Sequence, residues 1–429
     1  MSDLLGPSMN ARRRRSRPIW LWISLGVMLL AGGGFVVYTL FPCVIPVGAR
    51  GNCGPCQDAG PVTWVLGARD NMPAPMAVGA NSPVPQIPER VRDLVREAID
   101  AEKRLLVFRV DGDPTSAFDH AYDPIAEADG PRRDEVEALT NEFLTTITTV
   151  RATTAEANPL RALWLAARDT PPGGTIIFHD SGLQTTEPLD FRRDGALEAV
   201  PAEVVEELRF EHEAIPDFAG RRVVLLGVGD TADPQGDLTV RMHNNVVQIW
   251  EAIVAAGGAA CVETLTDNPF ALEALADVPP VSVIPFETAP PPPLPPGREC
   301  EPIRLSNGGD VGFEPDRDQF LDRTAAMAYL TGIADTILEY SQYPVIVIGT
   351  TARWGSEAGQ RDLSLRRAEA VKGLLVELGV PAGRITTQGD GSYGPYYRDD
   401  NGPDGPLDSA NAAFNRSVYI QLICPSTAP

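Results

Sequence analysis

Histidine is scarce in this chain: His120, His179, His212 and His243 are the only 4. None falls in an HExxH spacing or another paired arrangement that would hold zinc. A Gly-x-Ser-x-Gly elbow and a P-loop are both missing. Gly227-x-Gly229 lacks the third glycine and the following helix start of a dinucleotide fingerprint. His179 precedes Asp180 at the end of an apolar run, but neighbours on a strand point to opposite faces, so the pair need not cooperate. Acidic neighbours such as Glu206-Glu207 read as a solvated helix face. The expectation is a protein with no catalytic residue, no metal ligands and no cofactor, and so not an enzyme.

Positive charge is also short. Lys+Arg number 36 against 58 Asp+Glu, a formal net charge of −22. Arg12, Arg13, Arg14, Arg15 and Arg17 all precede residue 18, so the rest is more acidic than the total suggests. An acidic body argues against nucleic acid, which selects a basic face. It also disfavours electrostatic adhesion to anionic lipid.

Residues 19–41 are uncharged and mostly apolar. A helix there would span roughly 34 Å at about 1.5 Å per residue, enough for a bilayer core. Trp20, Trp22 and Tyr38 suit the two interfaces. The arginines just before it keep the N-terminus inside and place the remaining body outside. The apolar run exceeds a signal-peptide core. Leu40-Phe41-Pro42-Cys43 sets bulky residues where a lipoprotein site needs small ones. The expectation is an uncleaved single-pass anchor in the lipid of the cytoplasmic membrane.

Export gives meaning to the 6 cysteines, because disulfides persist outside the membrane. Cys53-Gly-Pro-Cys56 has the spacing of a thioredoxin site, but it follows a Gly/Pro-rich stem rather than a strand, and a disulfide is the better reading. The partners of Cys43 and Cys261 stay open. The chain divides into a basic cytoplasmic tail (1–18), the membrane helix (19–41), a stem (42–60), a folded region (61–284), a proline-rich spacer (285–298), a second folded region (299–424) and a short tail (425–429). The proline run favours extended polyproline II. No internal repeat stands out.

The first folded region alternates strand and helix patterns. Strands are expected at 62–68, 105–110, 175–178, 222–227 and 261–265, and helices at 91–102, 134–152, 159–168 and 244–256. Strands separated by helices imply an α/β, Rossmann-like parallel sheet covered on both faces. This order, with Val223-Val-Leu-Leu-Gly-Val-Gly-Asp230 and Thr175-Ile-Ile-Phe-His-Asp180-Ser-Gly182, resembles a von Willebrand factor A-type domain. The resemblance implies a protein-interaction domain with an envelope protein as partner. The family's metal loop, Asp-x-Ser-x-Ser, is replaced by Gly67-Ala-Arg-Asp70-Asn-Met, and its later threonine corresponds to about Asn158. Asp180 with Ser181 does not supply the oxygens that Mg²⁺ needs, so a metal-free relative is expected.

The second region carries the more specific pattern. A Gly-Thr-Thr turn leaves the apolar strand 344–348 and Gly355 follows. Leu363-Ser364-x-x-Arg367-Ala368-x-x-Val371 lies on a helix. A strand at 384–388 ends in glycine, and Asn415-Arg416 opens a closing strand. This ordered set resembles the OmpA-like peptidoglycan-binding domain, an α+β fold of βαβαβ type, over residues 300–424. In the family an aspartate and an arginine grip the diaminopimelate of the stem peptide, through its ammonium and its carboxylate respectively. Arg367 holds the arginine position. Ala352 replaces the aspartate, Gln360 the loop asparagine and Ser417 the second arginine of the closing motif. Glu357 or Asp362 could supply the lost carboxylate, or could pair with Arg367. The resemblance implies a binding set of Thr351, Leu363, Ser364, Arg367, Asn415 and Arg416, with peptidoglycan stem peptide as partner. It also places Cys300 and Cys424 beside the first and last strands of one sheet, where a bridge is expected.

The leading expectation is therefore a membrane-anchored envelope protein positioned at peptidoglycan. The residue usage suits a GC-rich genome and an actinobacterial envelope. An ion-driven machine of the MotB-like stator type also joins one helix to an OmpA-like domain, but it needs a membrane carboxylate, and 19–41 contains none. A membrane-tethered thiol-disulfide oxidoreductase using Cys53 and Cys56 is the third class.

Overall fold

A computed structural model describes residues 60–74, 77–78, 85–210, 212–265, 273–286, 298–400 and 406–425. The expected membrane helix at 19–41, Cys43, Cys53, Cys56 and most of the proline spacer lie outside the described residues. No helix among the described residues is long and apolar enough to cross a membrane.

The first folded region runs β1 (Val62–Gly67), β2 (Ala77–Val78), β3 (Pro85–Gln86), α1 (Glu89–Asp100), β4 (Arg104–Val110), β5 (Thr115–Ala121), α2 (Asp129–Ile147), α3 (Pro159–Asp169), β6 (Thr175–His179), α4 (Pro201–Phe210), β7 (Arg222–Leu226), α5 (Val240–Ala256) and β8 (Cys261–Leu265). Six strands form one sheet in the order β5-β4-β1-β6-β7-β8. Every neighbouring pair is parallel except β4 with β5, which is antiparallel. That edge strand corrects the expectation of a wholly parallel sheet. Its residues are mostly exposed, so they carry no apolar alternation to read.

Alternate side chains of the central strands feed two cores. Val65, Phe178 and Leu225 pack under α3, α4 and α5. Trp64, Ile177 and Val224 pack under α1 and α2. Burial on both faces is why these strands read as continuous apolar runs. Asn158 caps α3, accepting from the Arg161 amide, with Pro159 in the first turn. Thr239 caps α5, which therefore starts before the expected residue 244. The 273–286 segment returns to the sheet's C-terminal edge. There the Val281 amide donates to Asp70, and Ile284 exchanges two hydrogen bonds with the Gln235 side chain.

The second region runs β9 (Ile303–Ser306), α6 (Arg323–Glu339), β10 (Val345–Thr350), α7 (Glu357–Glu377), β11 (Ile385–Gly391), α8 (Ser409–Asn415) and β12 (Ser417–Leu422). Its sheet has the order β11-β10-β12-β9. The β10–β11 pair is parallel, and β12 is antiparallel to both β10 and β9. Val345, Val347, Ile420 and Leu422 pack against α6 and α7. Cys300 and Cys424 are joined by a disulfide beside β9 and β12. Asn415 ends a helix and the strand begins at Ser417, which corrects the reading of Asn415-Arg416 as a strand start.

The two regions touch. Ala410 and Ala413 of α8 join the core under α4 and α5. Gly195 faces them at φ +92°, and a Cβ there would meet the Ala410 carbonyl at 2.3 Å, so only glycine fits. Ion pairs ring this contact: Arg416 with Glu203, Arg193 with Asp408, and Arg398 with Asp194. The Ser306 hydroxyl also donates to Glu198 at 2.6 Å.

Candidate functional site

In the second region part of the motif, Gly349, Thr350, Thr351 and Ser364, gathers where the end of β10 meets α7, while Arg367 lies midway along that helix. α7 lies close on the sheet because β10 and β11 each present a glycine to it. A Cβ on Gly349 would fall 1.9 Å from the Ser364 carbonyl, and one on Gly389 2.4 Å from the Arg361 carbonyl. Ser364 is fully buried; its hydroxyl donates to the Arg361 carbonyl and accepts from the Gly391 amide at 3.0 Å. The Thr350 hydroxyl lies 2.6 Å from the Asn415 carbonyl and ties β10 to the end of α8. Thr351 is buried, and its hydroxyl has no hydrogen-bond partner among the described residues. Leu363 is half-buried on α7.

Arg367 is only 5% exposed. Its Nε donates to the Arg317 carbonyl at 2.9 Å, one Nη donates to the Glu314 carbonyl at 3.4 Å, and Phe313 covers the guanidinium at 5.2 Å. No carboxylate among the described residues forms an ion pair with it. Burial, with the charge of Arg416 adding to it, pushes Arg367 down to about 10, so it stays a cation at neutral pH. The two acids that might have paired with it are used elsewhere. Glu357 holds Arg361 and Asp362 holds Arg366, both one turn along the exposed face of α7.

The remaining motif residues serve other contacts. The Asn415 side chain is fully buried and spent on the 398–400 segment: it accepts from the Arg398 amide and donates to the Arg398 carbonyl and to Asp400. Arg416 turns away to Glu203 of the first region, with Nη1 at 3.0 Å from Oε2. Ala352 is buried. The carboxylate next to it in space is Asp400, which accepts from the Arg353 amide at 3.0 Å and from the Tyr397 hydroxyl at 2.5 Å. Burial, with this bond to Asp400, pushes the Tyr397 hydroxyl up to about 12. Spacing along the chain gave no sign of Asp400, which lies forty-eight residues beyond Ala352.

The first region has a second candidate, at the crevice beyond the C-terminal ends of β1 and β6. Strand order reverses there, and open α/β sheets hold ligands at such points. The crevice is filled from within. Arg69 is 0% exposed and grips the equally buried Asp180 with two bonds, at 2.5 and 3.0 Å, while reaching Ser181 and Asn71 at 3.3 Å. The expected substitute for a metal loop thus contains its own cation. Asp70 binds the Val281 amide, and Asn158 serves as a helix cap. His179 is buried beside them, and burial depresses its imidazole to about 4. Among the described residues no group of His, Cys, Asp and Glu could hold a metal ion. Cys261 lies buried on β8.

Comparison with known proteins gives the second region a family. Residues 312–405 match the OmpA family, and the C-terminal region is an OmpA-like domain. Over 125 residues the chain is 42% identical to the probable lipoprotein YiaD of Escherichia coli (strain K12), covering 29% of this chain and 53% of that protein. Over 51 residues it is 49% identical to outer membrane protein A of Shimwellia blattae, covering 12% and 21%. The chain thus spans from a fifth to about half of the length of these relatives. Among solved structures, the peptidoglycan-associated lipoprotein from Burkholderia pseudomallei matches at 25% identity and a TM-score of 0.22, covering 26% of this chain and 88% of that one. The periplasmic domain of Helicobacter pylori MotB matches at 22% identity and a TM-score of 0.23, covering 29% and 74%.

Proposed function

We propose that this chain is a non-enzymatic envelope protein whose OmpA-like domain holds peptidoglycan through a stem-peptide carboxylate at Arg367. The observation that carries this reading is a buried guanidinium that, among the described residues, forms no ion pair and feels Asp316 and Asp318 only at a distance. Burying a cation away from a counter-charge is costly, and an arriving carboxylate would relieve that cost through a forked, charge-assisted contact. Thr351, with its unpartnered hydroxyl, follows the end of β10, and Ser364 lies one helical turn before Arg367 on α7. The ammonium of the stem peptide loses its usual partner at Ala352, so recognition leans on the anionic half.

The same proposal includes the anchor at 19–41, with the N-terminus inside and both folded regions outside the cytoplasmic membrane. It also reads the first region as a von Willebrand A-like protein-interaction domain. The strand order, with an antiparallel strand beside β4, supports that reading, and Arg69 in the crevice favours a metal-free relative. Sedimentation of the full chain with purified peptidoglycan tests the central point. The parent should pellet with the wall and Arg367→Ala should stay in the supernatant at unchanged folded content. Equal pelleting of the two would refute the role of Arg367.

A further inference from the structure

Trp354 sits in the loop between β10 and α7 and is 75% exposed. The other described tryptophans behave differently: Trp64 and Trp250 are fully buried, and Trp164 lies beneath Arg161. The loop that shows Trp354 to solvent is tightly held. The Trp354 amide donates to the Ala352 carbonyl at 2.9 Å. The buried Gln360 amide donates to the Trp354 and Gly355 carbonyls, each at 3.2 Å, and its oxygen accepts from the Ser392 hydroxyl at 2.6 Å. One glutamine therefore fixes two loops side by side. The second loop displays Tyr393, 40% exposed, with Arg361 braced against its ring at 5.2 Å.

We infer that Trp354, with Tyr393 beside it, is a stacking platform for the amino-sugar strand of peptidoglycan, separate from the stem-peptide contact at Arg367. The inference rests on the wall-binding reading given under Proposed function. Sugar rings present one face of C–H bonds and a rim of hydroxyl and amide groups. An exposed indole matches the face, and the paired Arg361 and Glu357 side chains stand near the rim. An aromatic side chain on a backbone already tied down needs little loop ordering on binding, and aromatic residues are enriched at contact sites. The reach also agrees. Gln360 and Arg367 are seven residues apart on α7, about 10 Å at 1.5 Å per residue. Three extended residues of a stem peptide span about 10 Å as well. A peptide with its carboxylate at Arg367 would therefore bring its own sugar to the loop.

The test uses the full chain in detergent with three probes: intact peptidoglycan, glycan strands freed of stem peptide by an amidase, and a free diaminopimelate-containing tripeptide. Trp354→Ala should weaken binding to intact peptidoglycan about tenfold, the order of one lost stacking contact. It should remove binding to the bare glycan and leave tripeptide binding unchanged, and Trp354→Phe should retain most of it. The platform is overturned if the parent binds tripeptide but not glycan, or if Trp354→Ala matches the parent on glycan, the outcome expected of a tryptophan that serves a protein partner. If the parent ignores both tripeptide and intact peptidoglycan, the wall-binding reading itself falls and the platform with it.

Discussion

Arg69 and Arg367 are both buried, one just beyond the end of β1 and the other midway along α7, and their surroundings differ in one respect. Arg69 meets Asp180 in a forked pair with 0% exposure on both side chains. Arg367 meets backbone carbonyls and a phenyl ring, and among the described residues no acid pairs with it directly. A buried pair that satisfies itself has no charge left to offer a ligand. A buried cation that leans on neutral dipoles, with Asp316 and Asp318 acting only at a distance, lacks a forked partner of its own. The first region has thus filled the crevice where its sheet type holds ligands, while the second keeps a buried guanidinium outside any ion pair among the described residues. Arg416 marks an intermediate case. It belongs to the motif by sequence, but it is neutralised by Glu203 across the contact between the regions.

The largest effect should come from breaking the closed pair. Arg69→Met leaves Asp180 buried without its cation and should cost the first region about 3–5 kcal/mol, read by chemical denaturation. A loss under about 1 kcal/mol would mean that water replaces the guanidinium. Acid should act next, and on the same region, through the buried His179. The unfolded chain takes up a proton on His179 near 6.5, whereas the folded domain does so only near 4. Its contribution is therefore complete above about pH 6.5 and is lost as pH falls towards 4, on the order of 3 kcal/mol. His179→Gln should flatten that part of the stability–pH curve. Arg367→Met should change stability by only about 1 kcal/mol, because relief of desolvation offsets the lost hydrogen bonds. Glu203→Ala should act least on stability, about 0.5–1 kcal/mol for a partly exposed pair, and its signature would be faster proteolysis between the two regions.

Much of this was legible in the chain. The double-sided burial of β1, β6 and β7 is written as apolar runs, and the expected bridge between Cys300 and Cys424 is present. The glycines and Ser364 that seat α7 on β10 follow from the spaced motif. What was not legible depends on distance along the chain. Arg69 and Asp180 are 111 residues apart, so a loop lacking metal ligands gave no hint that it carried its own cation. Arg416 and Glu203 are 213 apart, and the proline spacer suggested two separate bodies rather than a docked pair. β5 escaped because a mostly exposed edge strand has no hydrophobic period. Glu357 and Asp362 looked able to serve the Arg367 pocket, but helical spacing gave them nearer partners in Arg361 and Arg366.

The contrast between the two arginines can be read directly by nuclear magnetic resonance of the full chain with nitrogen-labelled arginine, titrated with a diaminopimelate-containing tripeptide. The account predicts a saturable shift of the Arg367 Nε resonance and none at Arg69. A silent Arg367, or an Arg69 that responds as strongly, would contradict it.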